Sequence, residues 1–272
     1  MNKSILLCSL LSILTAGAVN AASLTTPTGQ ELGLSLSKYS LDRSYNGSIA
    51  YDDGNGDSYS GSGILDDDQD STKVGLEYTS SMSFSNDWFF KLNGRLAYSS
   101  SSDTTDLNGD ARVLIGKDYQ IGQYTLSPYS GLGYYYVSTK DDYGVAELTR
   151  KTGVGYLPVG LINRIEIDAD SLIETTLEYD LIFTGTQKNK FSVTDIGSES
   201  DNYDRNTGYG LRLSSMYRLN DVAFGPFINY WNIGKGKLTT NNYSNGSAYL
   251  NTSYEEKDTK NLEFGIKASM RF

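Results

Sequence analysis

Asn261-Leu262-Glu263-Phe264-Gly265-Ile266-Lys267-Ala268-Ser269-Met270-Arg271-Phe272 ends the chain and decides the fold. Leu262, Phe264, Ile266, Ala268, Met270 and Phe272 take every second place, and polar residues or glycine fill the gaps. Successive side chains of a strand point to opposite faces, so this segment has one apolar and one polar face. Strands of soluble sheets run to about 5–6 residues. About 9–11 tilted residues cross a bilayer, and the alternation here lasts that long.

The same period recurs upstream. Leu32, Leu34 and Leu36 open a first strand, and Val74, Leu76, Tyr78, Met82 and Phe84 mark a second. Six more are carried by Trp88 to Tyr98, Ala111 to Tyr119, Leu126 to Tyr136, Leu157 to Ile167, Ile173 to Phe183 and Tyr209 to Leu219. A ninth spans Val222 to Ile233, with the least clear choice of faces, and the tenth is the C-terminal segment. The pattern predicts an all-β fold, a single antiparallel transmembrane barrel of ten strands, with eight or twelve as the alternative counts. Short connections follow the even strands. Long ones follow the odd strands, at roughly 42–72, 100–107, 139–152, 185–206 and 235–260. All long loops therefore gather at one end. Pro128, Pro158 and Pro226 each remove a ladder hydrogen bond, and a bulge or strand edge is expected at Pro158.

Residues 1–21 have a basic Lys3, an apolar run from Ile5 to Val19 and small or aliphatic Val19 and Ala21 before Ala22, the pattern of a secretory signal peptide. The barrel domain then covers 22–272. The chain has 23 basic and 33 acidic residues, a formal net charge of −10 and no histidine. Its one cysteine, Cys8, lies in the signal segment, which excludes a disulfide framework. Without histidine there is no Ser-His-Asp or Cys-His chemistry and no His-ligated metal. The acidic balance argues against a nucleic-acid partner.

The whole of 22–272 resembles the outer-membrane β-barrel proteins of Gram-negative bacteria. The resemblance is strongest at the C-terminal motif, whose Phe264, Ile266, Met270 and Phe272 look like the signal read by the barrel-assembly machinery. It implies periplasmic short turns, extracellular long loops, a location in the cell outer membrane, and contacts with membrane lipid and lipopolysaccharide. Trp88, Tyr119, Tyr124, Tyr136, Tyr209, Tyr217, Tyr230 and Trp231 are expected in aromatic girdles. Barrel enzymes of similar size, such as omptin proteases and lipid A deacylases, use histidine, so the resemblance implies no enzyme here.

Nine acids and nine bases fall on the inward face. A ten-stranded barrel lies near the size whose interior side chains fill. Folding about Asn86 sets Glu77 opposite Arg95, and folding about Ala169 sets Arg164 opposite Glu174. Enclosed charges left unpaired are costly, so these pairs are expected to close the lumen; a narrow charged pore is the alternative. No residue stands out as catalytic.

The span 42–72 holds eight aspartates against Arg43. Asp52, Asp53, Asn55 and Asp57 have the oxygen ligands and interleaved glycines that suit Ca²⁺, although the spacing departs from an EF-hand. Other than this calcium site, no cofactor is expected. The expected function is a non-enzymatic surface barrel with long extracellular loops, for adhesion or recognition of an unidentified extracellular ligand. A small porin or channel for a narrow class of solute is the alternative.

Overall fold

A computed structural model of the protein describes residues 24–52, 56, 58–101, 104–142, 146–193, 197–236, 239–244 and 249–272. Among these residues fourteen strand segments form: β1 Gly29–Asp52, β2 Ser58–Ser83, β3 Trp88–Ser100, β4 Thr104–Lys117, β5 Tyr119–Ile121, β6 Tyr124–Asp142, β7 Ala146–Asp168, β8 Ser171–Val193, β9 Gly197–Asp204, β10 Gly208–Leu219, β11 Val222–Ile233, β12 Thr239–Ser244, β13 Tyr249–Glu256 and β14 Thr259–Arg271. Ten close a ring in the order β14-β1-β2-β3-β4-β6-β7-β8-β10-β11, and β11 pairs back to β14. Each pairing is antiparallel. Closure satisfies every wall strand on both sides, which an isolated sheet cannot do. The terminal Phe272 shares in it: its amide donates to the Gln30 carbonyl at 2.9 Å.

The alternating residues sort as the period predicts. Leu34, Leu36, Val74, Leu96, Leu132, Leu177, Leu213, Phe264 and Ile266 are exposed on the outside, while Ser35, Ser37, Lys73, Glu178 and Glu263 are buried inside. Water would not tolerate so continuous an apolar band on a monomer. Aromatics flank it. Tyr179 stacks on Tyr209 at 5.8 Å, with Tyr230 at 6.0 Å from Tyr209 on the next strand. Trp88, Tyr119 and Tyr124 mark the opposite margin. Trp231 departs from the expected girdle: it is 3% exposed and lies in the lumen. Two aromatics in succession, Tyr230-Trp231, leave the face of β11 undecided in sequence, and packing against Tyr135 decides it.

Much of the span expected as long loops is strand instead. All of β1 pairs with β2, from Gly29↔Ser81 to Asp52↔Ser58. The β3 pairing of β2 starts only at Val74, so the acidic part of this hairpin stands beyond the wall. β13 covers Tyr45 to Asp52 of β1, β12 pairs β13, and β9 covers Thr186 to Val193 of β8. The loop end is thus a crown of paired strands, and the described residues of 139–152, 185–206 and 235–260 are largely extended ladder. Their Ser, Thr and Tyr content supports strands without an apolar face to announce them.

At Pro158 the expectation of a bulge is corrected. Pro158 stands in register opposite Asp180; the register shift lies between Gly155 and Tyr156. On the other side, β6 and β7 keep one register from Ser130↔Val159 to Gly133↔Tyr156 but omit the two pairings between. The missing N–H of proline removes rungs without moving the strand.

Candidate functional site: the barrel lumen

Inward side chains fill the barrel in levels. At the turn end, residues 24–28 cross the mouth before β1 begins. The Thr26 amide donates to Asp118 Oδ2 at 2.6 Å, and its hydroxyl to Asp118 Oδ1 at 3.1 Å. Arg164 donates to Thr26 Oγ1 at 3.2 Å and to the Leu24 carbonyl at 3.4 Å. Ser81 donates to the Pro27 carbonyl at 2.6 Å. Thr26 is 1% exposed. Arg164 is on β7, five places from β1 in the ten-strand ring, so this strap spans the full width of the mouth.

Above the strap lies a cavity of about 160 Å³, lined by seven basic and four acidic residues. Glu174 meets Arg164 Nε at 2.6 Å, and Glu31 meets Arg218 at 2.9 Å.

The middle level is a dense ion-pair cluster. Glu77 stands opposite Arg95 in register, with Oε1 at 3.3 Å from Arg95 Nε. Arg95 makes a closer, two-armed contact with Glu263, at 3.0 and 2.6 Å. Arg212 reaches Asp110 and Asp180 at 2.7 Å and Glu178 at 3.1 Å. Arg112 reaches Glu178 at 2.6 Å, and the Tyr129 hydroxyl donates to that carboxylate at 2.6 Å. Paired and hydrogen-bonded, enclosed charges are tolerated; stripped of partners they are not.

The next level is aromatic. Tyr135 stacks on Trp231 at 4.5 Å, and Tyr156 meets Trp231 edge-on at 5.1 Å. Val137, Val154, Ile182 and Ile233 complete an apolar cluster inside the lumen. Glycine makes room for these rings. Gly133 is directly opposite Tyr156, and Gly160 directly opposite Tyr129. A Cβ at either glycine would collide with the ring lying across it. Between the ion pairs and this layer the void is about 10 Å³, room for about one water.

Nearer the loop end, Lys73 is fully buried, bonded to Asp106 at 2.8 Å and Asn108 at 2.7 Å, with its ammonium over the Tyr39 ring. In the crown, Arg205 pairs with Glu256 at 2.7 Å and donates to the carbonyls of Ile233, Gly234 and Lys257. Glu256 also accepts from Gln187 and Tyr203. Burial opposes ionisation of Glu256, but the Arg205 guanidinium and the Tyr203 hydroxyl outweigh it and hold the carboxyl below its usual range.

The structure therefore brings together both hairpin pairs expected from sequence, Glu77 with Arg95 and Arg164 with Glu174. Sequence reasoning missed Glu263 as the closer partner of Arg95, the Asp110–Arg212–Asp180 contacts, the Arg205–Glu256 hub and the strap. All of these join segments far apart in the chain. Phe264 and Ile266 lie outward on β14, Phe272 is exposed just after it, and Met270 is half-buried on the strand. Of the calcium candidates, Asp52 ends β1, paired with Ser58, while Asp53, Asn55 and Asp57 lie outside the described residues. Among the described residues no group of three acids is placed to hold a metal.

No family model matches the sequence, and no curated protein does. Solved structures do match. The outer-membrane protease OmpT of Escherichia coli is 11% identical, with 94% of this chain covering 100% of that one at a TM-score of 0.50. The outer-membrane protein OprG of Pseudomonas aeruginosa is 12% identical, over 92% of this chain and 100% of that one, at a TM-score of 0.38. The chain has the outer-membrane β-barrel fold: closed, antiparallel and ten-stranded.

Proposed function

We propose that this is a non-enzymatic barrel of the bacterial outer membrane, exported by the signal peptide 1–21. Its turn end faces the periplasm, and its crown serves recognition or adhesion at the cell surface. One observation carries the closed-barrel reading: the middle of the lumen is filled by the Arg95, Arg112 and Arg212 ion pairs and the Tyr135–Trp231–Tyr156 layer, with a void of about 10 Å³ between. A solute needs a continuous path, and side chains held by several charge-assisted bonds do not leave one. The protruding β1–β2 hairpin, rich in aspartate, supports a surface role and suits a basic extracellular partner.

Contact with lipopolysaccharide is supported at the outer rim. Lys151 and Lys188 stand directly opposite each other, exposed and outward, with Lys190 two residues on. Like charges so placed repel, and anionic headgroup phosphates would relieve them. Tyr136, one rung below on β6, sits where the apolar band ends. The outward Phe264, Ile266 and Phe272 suit recognition by the assembly machinery.

Planar-bilayer recording of the refolded protein tests the closed lumen. The expected result is no steady conductance in wild type and a leak in Arg95→Ala. Steady, ion-selective conductance in wild type would make the channel the better reading.

A further inference from the structure

The cavity above the strap is an enclosed chamber with an electrostatic surplus. Its roof is the ion-pair cluster, and its floor is the strap, whose Pro27 lines it. Lys91 reaches in from β3 and Arg218 from β10, five places apart in the ring and so on opposite walls. Lys91 makes no hydrogen bond or ion pair with the described residues; its ammonium is only 5.7 Å from the Phe89 ring centre. Its nearest candidate partners are already engaged: Glu174 by Arg164 at 2.6 Å, and Glu31 by Arg218 at 2.9 Å and Ser269 at 2.5 Å. Arg218 is 5% exposed, and its Nη1 has no hydrogen-bond partner among the described residues. Arg271 adds a third cation, whose guanidinium is held among the described residues by a 3.7 Å contact to Glu31.

An ammonium without an acceptor and a guanidinium with one arm unpaired, facing the same cavity, are an uncompensated cost. Water fits the chamber and supplies lone pairs, but it leaves the net charge in place. A small oxyanion supplies both acceptors and charge. We infer that the chamber binds a small oxyanion of phosphate type between Lys91 and Arg218, entering from the periplasm when the strap on Asp118 and Arg164 lets go. This rests on the closed-lumen reading: the roof makes the chamber a binding site and not part of a path.

The test uses the refolded mature protein in detergent micelles, titrated calorimetrically with inorganic phosphate at constant ionic strength in a chloride buffer. Saturable binding of one phosphate per chain is expected. Lys91→Met should weaken it by about tenfold or more. The same variant should melt at a higher temperature than wild type in the absence of phosphate, because the unpaired cation is gone. Arg218→Lys, which keeps the charge beside Glu31 but removes the free Nη1, should weaken binding to a smaller extent. Lys188→Gln, on the outer face, should leave it unchanged. Deleting residues 22–28 should speed phosphate entry. Absence of saturable binding in wild type, equal binding in Lys91→Met, or equal affinity for chloride would each overturn the site. Non-conducting protein that fails to bind phosphate breaks this inference alone, whereas conducting protein that still binds it breaks only the closed-lumen reading.

Discussion

Arg212, in the middle of the lumen, has three carboxylates within 3.1 Å of its guanidinium. Lys91, one level nearer the turns, has no ion-pair partner among the described residues. Both are inward by the same alternation, on walls of the same sheet. What separates them is which distant strands converge at each height. Around Arg212, β4 supplies Asp110 and β8 supplies Glu178 and Asp180. Around Lys91 the carboxylates of β1 and β8 are already held by Arg218 and Arg164. A lumen charge is thus structural where the ring supplies it a partner and available to a ligand where the ring does not.

The largest expected effect comes from emptying the middle level. Arg212→Met leaves Asp180 without its cation and Asp110 and Glu178 to Arg112 alone, and should destabilise the barrel by about 3–5 kcal/mol. Urea unfolding in lipid vesicles, followed by Trp fluorescence, measures it. A loss no greater than that of an exposed Lys188→Gln control would mean that water already screens the middle, erasing its contrast with the chamber.

Gly133→Val attacks the layer above. Its side chain must displace the Tyr156 ring, and overpacking of this kind costs about 1–3 kcal/mol. The Trp231 emission should change with it, because Tyr156 braces that indole. A Trp88→Phe background isolates the signal.

Double-mutant cycles refine the account of Arg95. Coupling to Glu263 should exceed coupling to Glu77, both within about 0.5–3 kcal/mol, since the first contact is two-armed at 2.6 and 3.0 Å and the second a single 3.3 Å approach. The reverse order would mean that the hairpin partner dominates, as sequence alone suggests.

The smallest effect concerns the crown. The Glu256 carboxyl is held below its usual range, so its contribution is complete above the unfolded-state value of about 4.3 and fades as pH falls from there through its folded value. Amide exchange in β9 and β13, corrected for intrinsic rates, should stay slow down to the ordinary Glu range and speed up below it. Glu256→Gln should be less protected at neutral pH and should lack this acid-dependent loss.

The wall was legible in the sequence because its signal is local. A bilayer-length strand with one apolar side is seen in Leu262 to Phe272 without knowing what lies beside it, and ten such runs with sorted turns leave few other folds. Glu77 opposite Arg95 was equally legible, because a tight hairpin fixes register from the turn outward. The aspartate-rich span 42–72 was not, because a polar strand has no apolar face to reveal its period. Trp231 was misplaced because its neighbour Tyr230 makes either face of β11 plausible.

What only the tertiary structure decided is everything that depends on ring closure. Arg95 and Glu263 are 168 residues apart in sequence, and Thr26 and Asp118 are 92 apart. Closing ten strands superposes levels from the whole chain, and the height of each residue depends on strand tilt and register summed around the barrel. Alternation says that a side chain points inward. It does not say which of the other inward side chains it meets, and the closed middle, the strap and the chamber all follow from those meetings.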